Sequence, residues 1–156
     1  MRLSSEAEHY LLKSQIQERG QVQIIVSGYS MMPTIEDGTK IIVSEKKIYE
    51  LGDILVFSNI VSKRLNVHRL VMKCNGFYYC KGDNSFAIEK ITVNNIIGAV
   101  LFQNINGIFT EPKKQTKQFI YHSLRVGLEF CKMGFDKEKI LDSKIYVDYK
   151  TKYLLE

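Results

Sequence analysis

The chain is poor in the residues that build disulfide frameworks and metal sites. It has only three cysteines, Cys74, Cys80 and Cys131, and three histidines, His9, His68 and His122. Three thiols form neither an even disulfide set nor a C-x-x-C pair, so they read as free thiols of a reducing compartment, and a cytoplasmic location is expected. The same residues lack zinc-ligand spacing, and there is neither a Gly-rich phosphate loop nor a dinucleotide fingerprint. No metal and no cofactor are expected. Long apolar runs are missing too: Met1 to Gly20 is polar and charged, unlike a signal peptide, and no later stretch reaches the length of a membrane span. The excess of basic charge is modest. A net +5 is scattered along the chain with some thickening after Lys113, whereas nucleic-acid binders concentrate theirs into a stripe, so no nucleic-acid partner is expected. An anionic membrane surface or an acidic peptide would be attracted by such a charge equally well.

What is present is the composition of an ordinary globular protein. Across 156 residues, 45% are hydrophobic and 25% charged, enough for a domain with a real core. Residues 1–20 form an N-terminal helical segment in which Ser4 or Ser5 can cap and Tyr10, Leu11, Leu12 and Ile16 make an apolar side. Residues 21–111 read as one β-rich unit. Gln21 to Ser27, Lys40 to Ser44, Ile54 to Phe57, Asn66 to Cys74, Phe77 to Asp83, Ile91 to Val93 and Ile96 to Ile105 are strand material. Asn75-Gly76 and Asn106-Gly107 supply hairpin turns, because both residue types tolerate positive φ. Residues 112–156 begin with a composition shift at Pro112. Phe119, Ile120, Leu124, Leu128, Cys131 and Phe135 then recur at helical spacing, giving an amphipathic helix that either docks on the domain or lies on a membrane surface. The last twenty residues are ambiguous between strand and helix. The fold class expected is mainly β, with a helix at each end.

One stretch stands out chemically. Gly28-Tyr29-Ser30-Met31-Met32-Pro33-Thr34 sets a serine on a proline-stiffened turn directly after a strand. A serine hydroxyl needs a base within hydrogen-bond reach and donors for an oxyanion before it can act as a nucleophile. Hairpin arithmetic offers the base. Counting outward from Asn75-Gly76 sets His68 opposite Asp83, and directly opposed residues share a face with Cβ atoms about 4.5–5.5 Å apart. Ser30, His68 and Asp83 thus form a candidate nucleophile, base and orienting acid, provided that no bulge interrupts the register. Arg69 is the rival partner for Asp83.

These residues resemble the serine peptidases that include type I signal peptidases and the LexA-like self-cleaving repressors. The shared parts occur in the family's order: Gly-Tyr-Ser-Met-Met-Pro-Thr at 28–34, Gly-Asp-Ile-Leu-Val-Phe at 52–57, Val-His-Arg-Leu-Val at 67–71 and Lys-Gly-Asp-Asn at 81–84. The resemblance implies the signal-peptidase/LexA-like β-rich fold, Ser30 as nucleophile and His68 as base. A histidine base looks like the endoplasmic-reticulum and archaeal forms of signal peptidase. It also implies an orienting acid at Asp83, with the family's second acidic position near Glu89. Hairpin geometry favours Asp83, and the choice stays open. The activity implied is serine endopeptidase cleavage of a leader or precursor peptide, so the partner expected is a peptide or protein substrate. It would bind by strand addition, without the membrane anchor that signal peptidases carry. The alternative is a self-cleaving or non-catalytic binding protein on the same fold, with peripheral membrane contact through the C-terminal helix.

Overall fold

A computed structural model describes residues 5–59 and 61–155. Helix α1 (Ser5–Arg19) leads into strand β1 (Val22–Ile25). There follow β2 (Lys40–Ser44), β3 (Ile54–Asn59), β4 (Arg64–Cys74), β5 (Phe77–Lys81), β6 (Ile88–Ile91), β7 (Ile96–Ile105) and β8 (Ile108–Thr110). The chain ends in α2 (Lys117–Lys132), α3 (Lys137–Asp142), α4 (Lys144–Tyr149) and a π-helical turn, Lys150–Leu154. The strands form one antiparallel sheet in the order β1-β2-β7-β3-β4-β5-β6, with β8 paired to β7. This is the mainly β fold with terminal helices that the sequence implied.

The turns follow from local chemistry. Asn75 and Gly76 have φ of 52° and 79°, and Asn106 and Gly107 have 52° and 85°, the positive-φ pairs that two-residue hairpins require. Strand β2 keeps the expected bounds, Lys40–Ser44. The segment expected as a strand over Ile91 to Val93 divides instead. Its strand lies earlier, at Ile88–Ile91, and Val93–Asn95 form a 3₁₀ turn closed by the Asn95 side chain accepting from the Thr92 N–H at 2.9 Å.

The N-terminal helix buries less than its sequence suggests. Ser4, one of its two candidate caps, lies outside the described residues. Ile16 is buried with Leu12 packed beside it, a pair four residues apart on one helical face. Tyr10 and Leu11, rotated away from that face, are exposed.

The C-terminal tail is helical, and α2 docks on the sheet. Its buried positions are Phe119, Ile120, Ser123, Val126, Gly127 and Phe130, while Leu128, Cys131 and Phe135 of the expected stripe are exposed. Phe119, Ile120, Val126 and Phe130 share a core with Val71 of β4, Ile140 of α3 and Tyr146 and Tyr149 of α4. Part of the apolar stripe is therefore covered by protein, and Leu128, Cys131 and Phe135 stay at the surface. Among the described residues no helix is long and apolar enough to cross a membrane.

Candidate active site

The Ser30 turn follows β1 and is shaped by Gly28, whose φ of +99° suits glycine. The Gly28 N–H donates to Asp37 Oδ1 at 2.8 Å, and the Gly38 N–H donates to the Val26 carbonyl at 2.7 Å, so the loop closes on itself. From the other side the turn rests on the segment after β5. The Asn84 N–H donates to the Ser30 carbonyl at 2.7 Å, and the Asn84 amide reaches the Tyr29 carbonyl at 3.2 Å. Gly82 makes that approach feasible, because a Cβ there would meet the Ser30 carbonyl oxygen at 2.6 Å.

The base position lies on β4. His68 is 8% exposed, and its Nε2 lies 3.0 Å from Ser30 Oγ. Its Nδ1 lies 2.6 Å from Glu89 Oε2 on β6. A carboxylate accepts at Nδ1, so the matching tautomer carries its proton there and leaves Nε2 as the acceptor for the serine hydroxyl. The edge of Phe57 shields the imidazole, with ring centroids 6.1 Å apart.

The carboxylate beside His68 is therefore not the one that hairpin counting set opposite it. The expected opposition of His68 and Asp83 fails because β4 carries a bulge at Val71. Met72 pairs with Tyr79 as counted, but Leu70 pairs with Cys80 and Arg69 with Lys81, one residue out of step, and β5 ends at Lys81. Asp83 is instead held by Arg69, which donates from Nε to Oδ1 and from Nη2 to Oδ2, both at 2.8 Å. Thr34 Oγ1 donates to the same carboxylate at 2.7 Å. Both side chains of this ion pair are 1% exposed. Arg69 also donates to the Gly52 carbonyl at 2.8 Å, which ties the Gly52-Asp53 turn to the network.

Pleating separates the two acids. Leu70, Cys80 and Glu89 are aligned across β4, β5 and β6, and side chains alternate faces along a strand. His68, two residues before Leu70, thus shares the face of Glu89, while Arg69, Lys81 and Ile88 form the row on the opposite face. The sequence pointed to Glu89 only through the resemblance, which sets the family's second acidic position near it.

The opposite row is also charged. Lys81 is fully buried and donates from Nζ to Ser123 Oγ at 3.0 Å and to the Gly82 carbonyl at 3.1 Å. Burial pushes its ammonium down to about 7, against the opposing pull of Asp83 and Glu89.

A cleft of about 610 Å³ leads to Ser30 and His68, walled by Ile24 and Val26 on one side and Leu65 and Val67 on the other. Two strand edges flank it. Strand β1 pairs with β2 on one side only, and Arg64 to His68 of β4 pair with β3 but lie before the part of β4 that β5 covers.

No curated protein and no solved structure matches the chain. The model of one family, described as Peptidase S24-like, matches residues 3–101, a span that holds Ser30, His68, Asp83 and Glu89. That match covers more than half of the sequence, and with the β-rich fold and the placement of Ser30 beside His68 it establishes that the chain belongs to the Peptidase S24-like family.

Proposed function

We propose that this protein is a serine endopeptidase that cleaves a leader or precursor peptide, with Ser30 as nucleophile, His68 as general base and Glu89 as the acid that orients it. One observation carries the reading: a serine, an imidazole and a carboxylate follow one another at 3.0 and 2.6 Å at the end of a cleft. Neutral His68 takes the Ser30 proton as Oγ attacks a peptide carbonyl, and the imidazolium then protonates the leaving amine. Glu89 stabilises that imidazolium across the Nδ1–H bond. The Ser30 N–H is assigned as a backbone donor for the oxyanion.

Substrate recognition follows from the unpaired edges. An extended peptide entering the cleft adds as a strand between β1 and the first half of β4, with main-chain hydrogen bonds supplying affinity and the apolar walls selecting side chains. Asp83 takes a structural role: it neutralises buried Arg69 and holds Thr34, so it braces the turn rather than the imidazole.

The deciding experiment compares wild type with Ser30→Ala on candidate leader peptides, including extended ones with small residues around the scissile bond, and reads products by mass. Cleavage is expected from wild type alone. Equal cleavage by both proteins would end the nucleophile assignment.

A further inference from the structure

The family match ends at residue 101, yet the helices beyond it contact the back of the site at four places. Tyr149 of α4 donates its hydroxyl to the Asp83 carbonyl at 2.6 Å, fixing the segment whose next residue, Asn84, holds the Ser30 carbonyl. Ser123 of α2 takes the Lys81 ammonium at 3.0 Å, and that ammonium lies 4.9 Å from the centre of the Tyr149 ring. Gly127 of α2 lies directly on β6, where an added Cβ would come within 2.3 Å of Ile88 Cγ1. Ile88 immediately precedes Glu89, on the reverse of the pleat. Phe119 of α2 covers the Arg69 guanidinium at 5.6 Å, next to His68 in β4.

We propose that α2 and α4 form a bracket on the reverse face of β4, β5 and β6, with Tyr149 and Gly127 as positioning residues that hold the Ser30 turn and Glu89 in register with His68. The proposal rests on the peptidase reading for its catalytic consequence, but the geometry it asserts exists in the folded protein with or without turnover. The pleat makes the coupling direct. A shift of Ile88 moves Glu89, and a shift of the Asp83 carbonyl moves Asn84 and so Ser30. A general-base mechanism is sensitive to such shifts, since a misplacement of about 1 Å can cost roughly a hundredfold in rate.

The experiment uses the full chain and two readouts. The first is the proton NMR signal of His68 Nδ1–H, strongly downfield when bonded to a carboxylate, with Glu89→Gln as the reference for its loss. The second is kcat and KM for any peptide that wild type cleaves. Gly127→Ala is expected to move or broaden the Nδ1–H signal and to lower kcat by about tenfold or more with little change in KM. Gly127→Ala combined with Ile88→Ala reopens the space and should restore the signal. Tyr149→Phe removes a single hydroxyl. It should leave the Nδ1–H signal in place and lower kcat at nearly constant KM, because its path runs to Ser30. Val147→Ala, on the exposed side of α4, should match wild type in both readouts. An Nδ1–H signal identical in wild type and Gly127→Ala would overturn the bracket. If Gly127→Ala does not fold, unchanged kcat in Tyr149→Phe overturns it instead. Should no peptide be cleaved even by wild type, the peptidase reading fails while the Nδ1–H comparison still decides the bracket.

Discussion

Replacing each acid near the site by its amide separates an activity defect from a stability defect. Asp83→Asn leaves the Arg69 guanidinium, 1% exposed, without its charge partner and turns an amide N–H₂ toward Arg69 or Thr34. Breaking a buried ion pair from one side costs about 3–5 kcal/mol, a large part of the 5–15 kcal/mol or so that holds a typical domain together. The bonds from the Tyr149 hydroxyl to the Asp83 carbonyl and from the Asn84 N–H to the Ser30 carbonyl survive, so the folded fraction should keep kcat within about tenfold. Glu89→Gln has the reverse profile. Its carboxylate accepts from a neutral imidazole and is more accessible, with side chains 10% and 18% exposed, so the loss of stability should be smaller, about 1.5–3 kcal/mol. The neutral amide cannot stabilise an imidazolium, and through its N–H₂ it can favour the wrong imidazole tautomer. The expected fall in kcat is about 10²- to 10⁴-fold, or roughly 3–5 kcal/mol of barrier. Urea denaturation followed by circular dichroism gives the first quantity, and peptide cleavage read by mass at a temperature where both variants are folded gives the second. A stable but inactive Asp83→Asn beside an active Glu89→Gln would refute the assignment of the two acids.

Lys81 makes stability depend on pH. With an ammonium that titrates near 7 when folded and near 10.5 when unfolded, the unfolded chain binds the extra proton between those values, so stability rises with pH across that window and is lowest below about 7. At about 1.4 kcal/mol per pH unit the cost approaches 5 kcal/mol. Lys81→Met should therefore stabilise most below about pH 7 and progressively less toward 10.5, and equal urea midpoint shifts at about pH 6 and 9.5 would argue against it. Gly82→Ala drives a Cβ to 2.6 Å from the Ser30 carbonyl, so kcat should fall at least tenfold or so while KM changes little; an unchanged kcat would mean the turn absorbs the methyl.

Turn chemistry made much of the sheet legible before any coordinates. Asn75-Gly76 and Asn106-Gly107 specify hairpins from two residues, since positive φ is a local property, and β2 was read to its ends from β-branched residues between turns. Ser30 and His68 were joined by the roles a nucleophile and its base require and by the resemblance of their motifs, and the structure sets them 3.0 Å apart. The acid was not readable from hairpin counting. Its identity depends on a one-residue bulge at Val71, which shifts the pairing of β4 with β5, and on the lateral approach of β6, and neither leaves a local trace in composition or periodicity. The same holds for α2. Its period announced an amphipathic helix, but which side is buried was decided by what it packs on: Gly127 fits against Ile88 and Ser123 meets the Lys81 ammonium, while Leu128 and Phe135 are left outside. Local sequence determined the hairpin turns, most of the strands and the serine turn, because those depend on a few neighbouring residues. Only the tertiary structure chose the acid and the buried side of the helix, because these depend on register and on contacts between segments far apart in the chain.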